Sequence, residues 1–214
     1  MTSVACCAAF EAALSLRANL GATGFGRPEP AQLELPRSAA NVSTASFVGE
    51  SSAVGVWLEA RYRGVLGVAA GALYGYHSVR SSFRVDDEVA QVIFGAPELR
   101  VPLMLKGTLP LGSSWTPYLE LGPEFVLPGL SKASQRGGLR AVASAEAGLW
   151  FSSALGVEWK LGLAGVDLRV PLGVRASFSG AGEQHVRALP SDALSLESTP
   201  SYRVAFETGA ALWF

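Results

Sequence analysis

Ionisable side chains recur at alternate positions within otherwise apolar segments. The basic ones are Arg17, Arg61, Arg100, Lys106, Lys160, Arg169, Arg175 and Arg203; the acidic ones are Glu59, Glu98, Glu120, Glu124, Glu158, Asp167 and Glu207. Carboxylates set among guanidinium and ammonium groups can exchange protons as acid–base partners, line a path for ions, or neutralise one another in a salt-bridged interior. Eight cations against seven anions is near balance. Balance points to mutual pairing, because an unpaired charge held away from water costs several kcal/mol. The expectation is a structural charge network inside the fold. It is built on Arg17, Glu59, Arg61, Arg100, Lys106, Glu120, Glu124, Glu158, Lys160, Asp167, Arg169, Arg175, Arg203 and Glu207, and no catalytic, cofactor-binding or metal-ligating residue is assigned.

Other reactive groups are few. His77 beside Ser78 suggests a hydrolytic pair. Neighbours on a strand point to opposite faces, however, so the two cannot act together, and His77 reads as an interface histidine at a strand end. His185 falls in a long, solvated connection. Asp86-Asp87-Glu88 is an acidic run that could hold Ca²⁺, although a solvated loop explains it more simply. Cys6 and Cys7 are the only cysteines, and adjacent cysteines neither form a disulfide framework nor supply a metal set. The small apolar stretch around them reads as the remnant of an export signal or a tail over residues 1–11, with the folded domain at 12–214. A lipid-modified Cys6 is disfavoured by the Ser3-Val4-Ala5 that precedes it.

The elements that would position these charges follow from composition and period. The 214 residues are 49% hydrophobic and only 16% charged, with 24 glycines and a net charge of -1. Soluble domains carry about 25% charge, and this charge balance disfavours nucleic acid as a partner. No apolar run reaches 18 residues, so a helical membrane span is excluded. What the chain has instead is alternation at period two, the pattern of strands with one apolar face. Eight such segments appear: 12–25, 53–63, 66–77, 93–109, 115–127, 149–163, 166–178 and 202–214. In the seventh, Val166, Leu168, Val170, Leu172 and Val174 alternate with Asp167, Arg169, Pro171, Gly173 and Arg175.

Connections alternate as well: short at 63–65, 110–114 and 164–165, long near 26–52, 78–92, 128–147 and 179–201. This rhythm predicts an all-β, eight-stranded antiparallel up-and-down transmembrane barrel in a bacterial outer membrane, with termini and short turns on the periplasmic side. Lipid allows no unpaired sheet edge, so the sheet must close. Tyr62, Trp115 and Phe214 are placed at one interface, and Tyr74, Tyr76, Phe125, Phe178 and Tyr202 at the other. Trp159 reads as mid-strand, outside either girdle.

Three segments resemble a known family. Glu98-Leu99-Arg100-Val101-Pro102-Leu103-Met104-Leu105-Lys106 and Pro117-Tyr118-Leu119-Glu120-Leu121-Gly122-Pro123 are similar to consecutive strands of PorT-like outer-membrane β-barrels. Tyr202–Phe214 resembles the terminal strand read by the barrel-insertion machinery. The resemblance implies an integral outer-membrane protein and transfers no catalytic residue. The functional expectation is a monomeric, non-enzymatic barrel with a plugged lumen. Its partners are outer-membrane lipid, the insertion machinery through the strand ending in Phe214, and extracellular ligands at the long loops. A membrane-embedded lipid-modifying or proteolytic enzyme and a narrow pore stand as alternatives, as does, less favoured, a soluble lipocalin-like carrier.

Overall fold

The computed structural model describes residues 10–24, 42–45, 48–85, 88–111, 114–130, 132–136, 140–144, 147–163, 165–179, 184–188, 193–198 and 202–214. Among these residues thirteen strands follow in chain order: β1 (Phe10–Gly24), β2 (Val42–Ala45), β3 (Val48–Tyr62), β4 (Leu66–Val85), β5 (Glu88–Thr108), β6 (Trp115–Pro128), β7 (Lys132–Arg136), β8 (Arg140–Ser144), β9 (Gly148–Leu163), β10 (Val166–Ser179), β11 (Gln184–Ala188), β12 (Ala193–Ser198) and β13 (Tyr202–Trp213).

Eight of them close a ring. β1 pairs with β3, β3 with β4, β4 with β5, β5 with β6, β6 with β9, β9 with β10 and β10 with β13. β13 returns to β1 from Trp213↔Ala13 to Tyr202↔Gly24, and every step is antiparallel. The predicted fold is therefore the observed one. At Arg63-Gly64 both φ values are positive, 51° and 65°, and the Val65 amide donates to the Tyr62 carbonyl at 3.2 Å. That is the type I′ geometry whose twist matches the two strands it joins.

Burial follows the alternation. In β1, Leu14, Leu16 and Leu20 are exposed, whereas Ser15, Arg17 and Asn19 are buried. Apolar side chains point outward and polar ones inward, the inverse of a soluble barrel. Between the girdles, no Asp, Glu, Lys or Arg among the described residues faces outward. The outward run from Leu66 to Tyr76 rises roughly 25 Å at a usual barrel tilt, the height of a hydrocarbon band.

The structure departs from the sequence reading in several places. β1 begins at Phe10, so Phe10 and Glu11 belong to the ladder with Tyr62 and Arg61 and not to a tail. The expected loop at 78–92 is an extension of the β4–β5 hairpin, paired out to Val85↔Glu88. Val79, Phe83, Val85, Val89 and Ile93 give it the β-branched and aromatic content that favours strands. β2 pairs with the outer part of β4 and β7 with that of β5. β8, β12 and β11 form a separate three-stranded sheet. The long connections thus carry β-structure of their own, and His185 lies in β11. The readings on Cys6, Cys7, Asp86 and Asp87 fall outside the described residues; Glu88 opens β5.

Trp159 also moves. The register sets it opposite Trp115, the two rings stacked 5.4 Å apart at the short-turn end. The stagger of the strands explains this: β9 runs four residues past the start of β6 to its turn with β10, so Trp159 stands level with the first residue of β6. With Tyr62 and Phe10 at 5.1 Å, the pair builds the girdle at that end.

Candidate functional site: an ion-paired barrel interior

An eight-stranded barrel is just wide enough for side chains to fill its interior. Here the filling is ionic, in three levels.

The central level is a knot of four cations and four anions drawn from seven of the eight barrel strands. Arg17 (β1) reaches Glu120 (β6) and Glu207 (β13), each at 2.9 Å, and Glu59 (β3) at 3.4 Å. Arg175 (β10) holds the same two carboxylates, with Nε 2.7 Å from Glu207 and Nη2 2.7 Å from Glu120. Lys106 (β5) lies 2.6 Å from Glu158 (β9), 2.9 Å from Glu59 and 3.3 Å from Glu120. Arg61 (β3) donates to Glu59 at 2.5 Å and also to Glu158. Each charge has at least two partners of opposite sign, and all eight side chains are buried.

Only β4 gives this level no charge. Its Gly71 lies under Trp57, where a Cβ would come 2.7 Å from the indole Cδ2. The close approach seats Trp57 in the lumen against Arg17 and Arg175, at 4.5 and 4.9 Å. Tyr118 is seated in the same way across Gly156 and Gly173, with the Lys106 ammonium 4.5 Å from its ring. A cation on an aromatic face gains about 0.5–2 kcal/mol, more when desolvated.

The level toward the long loops is built as a hub. Glu98 (β5) accepts from Arg100 Nε at 2.5 Å and from Arg203 Nη2 at 2.9 and 3.0 Å, and it lies 3.2 Å from His77 Nδ1. Arg100 continues to Ser51 and Asn19, and Arg203 lies 4.7 Å from the Trp150 ring. Glu124 is held by neutral donors: Ser152 and Ser177 bond to its Oε2, and Arg203 stands off at 3.7 Å.

The third level is the rim at the short-turn end. Asp167 joins Lys160 at 2.9 Å and Arg169 at 2.8 Å. Arg169 also nears Glu158 and Glu11, at 3.7 and 3.8 Å. Arg61 and Arg169 both lie over Trp213, at 4.1 and 4.4 Å.

Of the fifteen charges picked out by alternation, fourteen join this interior network, Glu98 among them as a hub although the expected network omitted it. Lys160 stays at the rim: it lies three residues from the end of β9, and its side chain is 53% exposed on Asp167. His77 also differs from expectation. It is buried inside the barrel on Glu98 and not at the interface, while Ser78 takes the other face. Sequence reading overlooked Glu11, which evens the count at eight anions, and the inward aromatics Trp150, Trp213 and Tyr118. Parity would have found all four, since each shares the period of a charged residue on its own strand. Among the described residues no group of three His, Cys, Asp or Glu could hold a metal.

A closed ladder, an apolar exterior band and a charge-balanced interior define a membrane-spanning β-barrel with a filled lumen. No protein-family model matches the sequence, and no curated protein matches it. Solved structures similar to the chain include Neisserial surface protein A, at 11% identity over 96% of both chains with a TM-score of 0.41. The outer membrane protein OprG from Pseudomonas aeruginosa is 12% identical over 96% of both chains, with a TM-score of 0.44. The translocator domain of the autotransporter NalP from Neisseria meningitidis is 10% identical over 94% of this chain and 88% of its own, with a TM-score of 0.33.

Proposed function

We propose that the protein is an integral barrel of a bacterial outer membrane, of the PorT-like kind, whose plugged lumen makes it a rigid anchor for β-structure displayed outside the membrane. The observation that carries this reading is the inversion of faces. Exposed Leu, Val, Phe and Tyr cover the outside while four cations and four anions neutralise one another within. Such an exterior far exceeds the apolar patch of a soluble monomer, and closure satisfies every strand neighbour, as lipid requires. An even number of strands with short turns at one end is the design of outer-membrane barrels.

Two features favour an anchor over an enzyme or a pore. His77 is engaged by Glu98 within the filled lumen, on the opposite face from Ser78, so no nucleophile–base pair forms at these positions. The central knot crosses the whole section of the barrel, and conduction would require breaking several buried pairs at once. The extended β4–β5 hairpin and the strands beside it supply the displayed surface.

Cell fractionation with heat-modifiable gel mobility tests placement. The protein is expected in the outer-membrane fraction, with an unboiled band that shifts on boiling; recovery in the soluble periplasm would sink the reading. Planar-bilayer recordings test the plug: the native chain should show no sustained conductance steps, and a stable open level would make it a pore.

A further inference from the structure

On the lipid-facing side of β1, β3, β4 and β5, near the short turns, small side chains leave a groove of about 340 Å³. Ala12, Ala60 and Ala70 are exposed there between the larger Leu14, Leu103 and Phe214. The register orders the groove. Ala12 is opposite Ala60, and the next outward pair toward the turns is Phe10 and Tyr62. Beyond Tyr62 the chain turns through Arg63, whose guanidinium lies 5.1 Å from the Tyr62 ring.

Arg63 is the only non-glycine among the described residues with a positive φ. Asn, Asp or Gly would adopt that conformation at less cost. Arginine here accepts backbone strain, and the turn places a cation against Tyr62 at this end of the barrel. No carboxylate among the described residues pairs with it.

We propose that this groove is a phospholipid site: one acyl chain lies along Ala12, Ala60 and Ala70, and the phosphate sits at Arg63. An apolar depression facing the hydrocarbon does not hold water, and in a bilayer the molecule at hand to fill it is an acyl chain. The aromatic pair Phe10–Tyr62 marks the depth at which chain gives way to headgroup. The guanidinium beyond it matches a phosphodiester in charge and in hydrogen-bond geometry. The inference rests on the membrane reading above, which sets the short turns at a leaflet surface.

Native mass spectrometry of the full chain, released from detergent after incubation with phosphatidylglycerol or diacylglycerol, tests it. The native chain should retain one phosphatidylglycerol. Ala60→Leu with Ala70→Leu fills the groove from the lipid side and should lower retention of both lipids about tenfold. Arg63→Asn keeps a residue suited to the turn and removes the cation. It should lower phosphatidylglycerol retention about fivefold and leave diacylglycerol unchanged. Val174→Leu, on the lipid face elsewhere, should change nothing.

Retention indifferent to the groove and Arg63 variants overturns the site, as does equal loss with Val174→Leu. A native dimer that the double substitution turns into a monomer would give the groove to a second copy of the chain and overturn the lipid. Should the double variant fail to show the heat-shifted band, Arg63→Asn decides alone. Recovery in the soluble fraction would overturn the membrane reading itself, whereas a membrane-inserted protein with indifferent retention overturns only the lipid site.

Discussion

The two buried levels of the lumen solve the same problem in different ways. In the central knot every charge is shared: Glu120 answers to Arg17, Arg175 and Lys106, and Lys106 answers to three carboxylates. Toward the long loops the charges are fewer and their surroundings richer in neutral donors. Glu98 gathers Arg100, Arg203 and His77, and Glu124 rests mainly on two serines. A mesh of full charges is rigid and intolerant, because deleting one member strands several others without solvent. A hub cushioned by hydroxyls adapts, because Ser and Asn can donate or accept as required.

That contrast can be broken by matched substitutions. The largest effect is expected for Glu120→Ala, which leaves Arg17, Arg175 and Lys106 short of an anion. It should cost about 3–5 kcal/mol of unfolding free energy, measured by urea titration of the refolded barrel in vesicles. A loss below about 1 kcal/mol would show that the knot re-pairs and is not a mesh. Next comes Trp57→Leu, which removes ring volume and the face used by Arg17 and Arg175. A loss of about 2–3 kcal/mol is expected, and a loss no larger than for an exposed leucine would remove the indole from the account.

Glu124→Gln should cost only about 1 kcal/mol, since the amide oxygen still accepts from Ser152 and Ser177. If it proved as costly as Glu120→Ala, the distinction between mesh and cushioned hub would collapse. The smallest effect belongs to the rim. Lys160→Ala breaks an exposed pair with Asp167 and should change stability by under about 0.5 kcal/mol, whereas Lys106→Ala should behave like Glu120→Ala. Equal effects for the two lysines would mean that burial does not set the scale.

Much of this architecture was legible in the sequence because lipid and lumen alternate with the strand period. Leu14, Leu16 and Leu20 against Ser15, Arg17 and Asn19 fix a facing without any tertiary knowledge, and the same parity places Glu120 and Arg175 inside. Parity says nothing of height or of partner. Trp159 reads as mid-strand from sequence because a single strand does not show where its neighbour starts, and β6 starts level with Trp159, four residues short of the end of β9. Lys160 shares the parity of Glu158 but stands at the rim, where inward no longer means buried. The β4–β5 extension was hidden because Ser81, Arg84 and Gln91 dilute its alternation with polar residues that a strand beyond the bilayer can carry freely.

That extension has a consequence for how the molecule can meet other chains. Within the bilayer the ring of strands has no free backbone donors or acceptors along an edge. Above it, β2 and β7 flank the hairpin and end the sheet on each side, while β8 and β11 end the second sheet. Closure is a property of the embedded part alone. Among the described residues, recognition through the backbone, by a strand laid against a strand, is thereby confined to the strands beyond the ring, and the closed wall can be read by its neighbours only through side chains.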